Sequence, residues 1–436
     1  MSDRVSVLIR SSARPELADA LSSLTAQTHR NLEVVIVNVT GRPHPPLPAV
    51  ATRLNVKFVD SDRQLPRPQA ANAALDAANG DHALFLDDDD LIEPEHIAQC
   101  LAAARSRPDT IPFTGAQICD ERNALQAVWP ALAFGRLEII ERIRLQPSAA
   151  LLPRAVLDEG FRFDPELPIF EDWDYWIRLS QRMTFRPLAC NTAVCRLGLG
   201  TSGTGVGVNF DLQRTARESG PFHAKWDGVR AALAADFDEL QQEADRAVVA
   251  QAWQKAEDLC WEAQSLRIWN EPTLARLARI FEAKGNLQGA RRFADAARRA
   301  HLLAPPLLSH AALARLHEHL SEGNAFALGG DRARAEIEFR AALAIREGDQ
   351  TACNGLANLR LLQGHLGEAE EFLRLGMLWG DRTYPTLLLK RGSLLEQLGR
   401  RNEARQLYQR ILRLVPRYEP AQSRLLALHA IEAATA

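Results

Sequence analysis

The stretch "HALFLDDDDLIEPEHI" (82–97) poses the first chemical question. An apolar run, Ala83 to Leu86, feeds into four consecutive carboxylates, Asp87, Asp88, Asp89 and Asp90. Carboxylates this close repel one another, and burial sharpens the repulsion. Two partners can share such charge: a hard divalent cation, which takes oxygen ligands, or the N-terminus of the helix expected to begin near Pro94. The helix end accounts most naturally for Asp90 with Glu93 and leaves the other acids unexplained. A second acidic cluster, "FEDWDYW" (170–176), sets Glu171, Asp172 and Asp174 after the apolar "LPIF" and at the start of a helical pattern. Such carboxylates suit proton abstraction. They equally suit a helix N-terminus, with Trp173, Tyr175 and Trp176 as packing.

The elements that must position these groups come from hydrophobic periodicity. "VSVLI" (5–9), "LEVVIVN" (32–38) and "HALFLD" (82–87) are short apolar runs that predict buried strands, and "NVKFVD" (55–60) alternates. "PELADALSSLTAQT" (15–28) sets Leu17, Leu21 and Leu24 on one helical face with Pro15 near its start. "PQAANAALDAANG" (68–80) predicts a helix closed by Gly80, and "PEHIAQCLAAARS" (94–106) predicts another. Buried strands alternating with helices imply a mostly parallel sheet covered on both faces, an α/β domain. Ligands of such sheets bind beyond the carboxyl ends of the strands, which is where Asp87 to Asp90 fall.

After about residue 210 strand signals give way to Ala, Leu, Arg and Glu at helical spacing. Small residues recur in phase: Gly323, Ala335 and Ala342 around Phe339; Ala357, Ala369 and Gly376; Gly392 and Ala404 before Tyr408, Ile411 and Pro416; and, earlier, Ala278, Ala290 and Ala297 around Phe293. Ala335 to Ala369 is 34 residues and Ala369 to Ala404 is 35. This spacing resembles the tetratricopeptide repeat, whose period is about 34. "LGGDRARAE", "LQGHLGEAE" and "LGRRNEARQ" fit the turns between paired helices, and an insertion or extra turn near 302–315 interrupts the array. The chain thus divides into 1–210 (α/β), 211–270 (a helical bridge) and 271–436 (all-α helical repeats).

Bulk properties narrow the class. At 436 residues the chain exceeds one ordinary core. A net charge of −3 argues against a nucleic-acid partner. The start "MSDRVSVLIR" is not a signal peptide, and no window reaches the apolar length of a transmembrane segment. The six cysteines are scattered without a CxxC pair, which argues against zinc and, with the preceding features, for a cytoplasmic setting.

The order of motifs over roughly residues 3–205 resembles the inverting GT-A glycosyltransferases of the family-two type. "VSVLIRSSARPELADALSSLTAQTHRNLEVVIVN" resembles the opening strand, helix and strand of that family. "RPQAANAALDAANGDHALFLDDDD" resembles the helix and strand leading to its DxD, "IFEDWDYWIRL" its catalytic-base segment, and "CRLGLGTSG" the segment that closes the site. The resemblance implies a nucleotide-sugar donor, with Mg²⁺ or Mn²⁺ bridging its diphosphate. It implies Asp89 as the direct metal ligand and Asp87 as a second ligand or a contact to the nucleoside sugar. Asp172 becomes the base that deprotonates the acceptor hydroxyl, and Glu171 its neighbour, able to hold the acceptor. The nucleotide pocket is expected from Ser11, Ser12, Asn38, Arg67, Asn72, Asp87 and Asp88. Asn72 fits equally well as a helix residue bonded to a nearby loop. Three positions depart from the family: Asn38 stands for an Asp, Ala71 for an Arg, and about Gly198 for a late metal-binding His. The glycine-rich 198–207 stretch could be a mobile lid or an interdomain linker. The leading expectation is transfer to a protein acceptor docked by the repeats, such as a bacterial surface or flagellar protein. The alternatives are a glycan or lipid-linked acceptor with repeats used for assembly, and an inactive scaffold.

Overall fold

The structure is a computed structural model that describes residues 3–141, 143–197, 218, 220–303, 310–377, 385–415 and 418–435. It divides into two compact units. One comprises Met1–Ala124 and Trp129–His301, the other Leu125–Val128 and Leu302–Ala436.

The first unit is built on a five-stranded sheet. Its strands are β1 (Val5–Ser11), β2 (Leu32–Asn38), β3 (Val56–Val59), β4 (His82–Asp87) and a short strand at Leu151–Pro153. In space the order is β3-β2-β1-β4 and then Leu151–Pro153. β1 pairs parallel with β2 and β4, β2 pairs parallel with β3, and only Leu151–Pro153 runs antiparallel, against β4. The central strands are apolar on both faces because helices cover both. Val5, Val7 and Ile9 face one core with Leu17, Leu21 and Leu24 of α1 (Leu17–Thr25). Leu8, Val35 and Phe85 face the other, with Ala70, Ala71 and Ala74 of α2 (Arg67–Ala77). β1 and β4 run side by side, so Arg10 lies opposite Asp87 across the strand pair.

Two element boundaries differ from expectation. α2 ends at Ala77, short of Gly80. Gly80 is needed for close approach instead: a Cβ there would lie 2.7 Å from the Ser6 amide nitrogen and 2.8 Å from the Arg4 carbonyl oxygen. α3 (His96–Ser106) has no side-chain cap, so Asp90 does not cap it.

The second acidic cluster opens the helix Glu171–Ser180, whose apolar face (Tyr175, Trp176, Ile177, Leu179) is buried beneath the sheet. Tyr175 stacks on Phe163 at 4.2 Å. The same core takes Phe222 and Trp226 from the long helix Gly220–Val249. Asp174 pins the two helices together. It is fully buried and accepts from Arg178 Nε (2.8 Å), Lys225 Nζ (2.8 Å) and Trp226 Nε1 (2.9 Å).

The second unit is helical: His310–Leu328 with Arg332–Ile345, Gln350–Leu362 with Leu366–Leu375, Pro385–Gln397 with Arg401–Leu414, then Glu419–Thr435. Gly330, Gly364 and Gly399, all at positive φ, make the turns within the pairs. Small residues and rings interlock as the sequence spacing required. A Cβ at Gly323 or Gly355 would strike the Phe339 ring, and one at Gly392 the Tyr408 ring. Arg360 bridges Glu336 and Glu368 across neighbouring pairs. The stretch 198–207, and with it Gly198, lies outside the described residues, as does part of the interruption expected near 302–315. Among the described residues no helix is long and apolar enough to cross a membrane.

Replacing Asp174 with Ala leaves the buried Trp226 indole N–H without its acceptor and takes one anion from Arg178 and Lys225, which keep the Arg162 carbonyl and Asp164. Loss of about 3 kcal/mol of stability is expected, read as a lowered midpoint in urea denaturation.

Candidate active site

The four acids lie at the carboxyl edge of the sheet, and no two have the same set of partners. β4 ends at Asp87, and the Asp90 N–H donates to the Asp87 carbonyl (3.1 Å), closing a tight turn. Asp87 Oδ1 accepts from Arg10 Nη2 at 2.5 Å. Asp88, only 2% exposed, accepts from the Ser12 backbone N–H at 2.6 Å and lies 3.6 Å from Arg14 Nε. Asp89 is ion-paired with Arg14 Nη1. Asp90 accepts from the Arg196 backbone N–H at 2.9 Å, the contact it makes in place of the expected helix cap.

The shared environment splits their acidities. Burial pushes Asp87 up, but Arg10 and Arg67 outweigh it and hold the carboxyl below its ordinary value. Burial raises Asp88 to about 6 against the opposition of Arg14 and the Ser12 N–H. Asp89 is raised by burial and by the charge of Asp87. Asp90 is raised well above its ordinary value by burial, Asp87 and Asp89. Asp87 is therefore the most firmly charged of the four.

The second cluster reaches the first through arginine. Glu171 Oε1 accepts from Arg67 Nε (2.6 Å) and from Arg10 Nη1 (3.3 Å), so Arg10 touches both Asp87 and Glu171. Glu171 is 2% exposed. Burial pushes its carboxyl up, but Arg67 and Arg10 prevail and keep it below its usual value. Asp172 is half-buried and, among the described residues, accepts from the Trp173 N–H (2.8 Å). Burial, then the charge of Glu171, raises it to about 6. The adjacent acids thus have separate environments: Glu171 clamps two guanidinium groups, and Asp172 is raised toward neutrality, the range that suits a general base. Backbone strain flanks both clusters, since Ala13 and Phe170 hold φ values of 61° and 60°.

The remaining predicted residues are placed as follows. Ser11 Oγ lies 2.8 Å from His44 Nε2, and Ser12 Oγ lies 3.4 Å from Arg14 Nη2. His44 Nδ1 donates to the Pro45 carbonyl (2.6 Å), so in the neutral ring Nε2 accepts the Ser11 hydroxyl. Asn38 is fully buried and spends its amide within the chain: Nδ2 on the Arg42 carbonyl and Asp60 Oδ1, Oδ1 on Thr40. Asn72 clamps the backbone of Phe163 in both directions (2.9 and 2.7 Å), the structural role of the two that its position allowed. Sequence reasoning passed over Arg10, Arg14, His44 and Arg196. The available signal was "RSSAR" at the carboxyl end of β1, two arginines on the same sheet edge as the acids.

Residues 7–146, about a third of the chain, match the family model of glycosyl transferase family 2. An uncharacterised glycosyltransferase of Bacillus subtilis, YwdF, is 26% identical over 198 residues, which is 44% of this chain and 73% of that protein. An uncharacterised glycosyltransferase of Haemophilus influenzae is 25% identical over 184 residues, 41% of this chain and 62% of that one. Residues 1–349 of S. aureus TarS align over 68% of this chain and 91% of theirs, with 16% identity and a TM-score of 0.39. Residues 7–146 are thus similar to the glycosyl transferase family 2 domain, and the chain is an enzyme of the glycosyltransferase class.

If Asp172 serves as the base that the family resemblance implies, its carboxyl, raised to about 6, must lose its proton before it can act. kcat/KM should therefore rise with pH through about 6 and level off above it. Glu171→Gln removes the neighbouring negative charge and leaves Arg10 and Arg67 acting on Asp172, so the acid limb of the profile should move to lower pH.

Proposed function

We propose that the chain is an inverting glycosyltransferase that moves a sugar from a nucleotide-sugar donor to an acceptor hydroxyl, with Asp172 as the base. One observation carries this reading. The ion-pair chain Asp87–Arg10–Glu171–Arg67 brings two acidic clusters, far apart in sequence, to one edge of a parallel sheet. A single displacement needs a proton acceptor on one side of the donor sugar and charge compensation for the departing diphosphate on the other. The two clusters supply these separately.

The donor set suits a hard cation. Asp87 and Asp89 offer carboxylate oxygens, and their side chains are 28% and 12% exposed. Among the described residues no three His, Cys, Asp or Glu side chains converge on one point. A cation here would complete its shell with phosphate and water, as magnesium commonly does. Asp89 and Asp87 would hold Mg²⁺ or Mn²⁺, which when bound neutralises charge on the leaving diphosphate. Arg10, Arg14 and Arg67 add guanidinium charge at the same edge, where each can exchange a carboxylate for a phosphate oxygen. Asp172 takes the proton of the acceptor hydroxyl as that oxygen attacks the anomeric carbon. Ser11, Ser12 and Asp88 line the nucleoside side.

The second unit, read as tetratricopeptide-like, docks a polypeptide acceptor. All six cysteines are free, which supports a cytoplasmic setting.

Calorimetry with UDP, GDP, dTDP and CMP, with and without Mn²⁺, tests the donor side. One nucleotide should bind in a Mn²⁺-dependent way, and Asp89→Ala should weaken it about tenfold or more. Asp172→Asn should lower kcat by about 10²-fold or more while donor affinity stays unchanged. Metal-independent binding, or turnover surviving in Asp172→Asn, would contradict these assignments.

A further inference from the structure

A hollow of about 410 Å³ in the first unit is lined from the helices Trp253–Leu266, Glu271–Ala283 and Leu287–Leu303, and its residues take no part in the two acidic clusters. Its walls are aromatic: Trp261, Phe281 and Phe293. The Phe293 ring centre lies 5.6 Å from that of Trp261 and 5.1 Å from that of Phe281, edge to face in both cases. Phe281 and Phe293 are half-buried and rest on the core of Ala256, Cys260 and Ile280, whereas Trp261 is 43% exposed. The indole is held in place, since its Nε1 donates to Glu257 Oε1 (3.2 Å) and Glu257 is ion-paired with Lys284. Gly289 lets the last helix approach: a Cβ there would lie 2.2 Å from Phe281 Cδ1. The rim is polar. Asn286 Oδ1 accepts the Gly289 N–H (2.9 Å), which leaves the Asn286 Nδ2, the Gln288 amide and the Arg292 guanidinium without partners among the described residues.

We infer that this hollow binds a sugar ring of a glycan, packed on Trp261 and held at its hydroxyls by Asn286, Gln288 and Arg292. The inference goes beyond the donor, metal and base assignments and needs none of them. A pyranose combines an apolar C–H face with a rim of hydroxyls, and the hollow presents the matching pair of surfaces. The polarised C–H groups suit the negative face of an aromatic ring, and hydroxyl oxygens accept from amide and guanidinium N–H groups. A few polar groups around an apolar wall is the usual make-up of a small-ligand site. An organic cation also seeks aromatic walls, but Arg292 sets a like charge at the rim. An apolar peptide side chain would cover the three donors without satisfying them. The chain is moreover a glycosyltransferase, whose products carry sugar.

The test is a printed array of defined oligosaccharides, neutral and acidic, probed with the full chain in the absence of nucleotide. At least one glycan should bind. Trp261→Ala should weaken that binding about tenfold or more, and Trp261→Phe should keep part of it. Gln288→Ala and Arg292→Ala, at exposed positions, should each weaken it about threefold with an unchanged midpoint in urea, which repeats the test without touching the rings. In the chain labelled with fluorotryptophan, the fluorine resonance that Trp261→Phe removes should shift when the bound glycan is added. A blank array, binding unchanged in Trp261→Ala or in the Gln288 and Arg292 variants, or an unmoved Trp261 resonance would each overturn the assignment. Nucleotide titration separates this inference from the transferase reading, since Trp261→Ala should bind nucleotide as the unaltered chain does. A blank array with nucleotide binding and transfer intact removes only the hollow, and Trp261-dependent glycan binding without nucleotide binding removes only the transferase site.

Discussion

Four adjacent carboxylates at the end of a buried strand cannot share one environment, and the surrounding structure gives no two the same set of partners. Arg10 comes from the neighbouring strand, the Ser12 N–H and Arg14 from the turn that follows it, and the Arg196 N–H from the strand Thr184–Arg196. Parallel pairing of β1 with β4 is what places Arg10 opposite Asp87. A one-residue slip of that register would turn Arg10 to the other face of the sheet and leave Asp87 without its cation. The site therefore depends on strand register as much as on the acids themselves.

The same arginine links strand chemistry to helix chemistry. Arg10 and Arg67 hold Glu171 ionised, and that charge, with burial, keeps Asp172 near 6. The helix carrying both acids is held in turn by Asp174, which takes Arg178 from its own helix and Lys225 and Trp226 from the helix that follows the α/β domain. Three acids within four residues thus have three settings: Glu171 clamps two arginines, Asp172 is the proposed base, and Asp174 anchors the helix. All three sit in the first turn of a helix, where its dipole favours negative charge.

Much of this was legible in the sequence. Apolar runs gave the strands because their burial on both faces leaves no alternation to confuse. The phased small residues of the second half anticipated Gly323 and Gly392 against Phe339 and Tyr408, since close helix approach excludes a Cβ. The acids that end β4 and begin the Glu171 helix were visible as charge where burial was expected. Their partners were not. Arg10 pairs with a residue 77 positions away, and long-range pairing has no local signature. Asp90 looked like a cap because helix ends attract acids, yet a backbone N–H from a distant strand claimed it. Asn38 and Asn72 had the right type for a ligand contact, but an amide serves a turn or a neighbouring backbone equally well.

The Asp87–Asp89 turn and the arginines around it are the proposed diphosphate and cation site, with Asp172 the proposed base beside it. Anomalous diffraction from crystals grown with Mn²⁺ and the nucleoside diphosphate that binds tests it directly. A manganese peak in contact with Asp89, and phosphate oxygens against Arg10 or Arg14, are expected. Manganese bound elsewhere, or a diphosphate that touches none of these side chains, would contradict it.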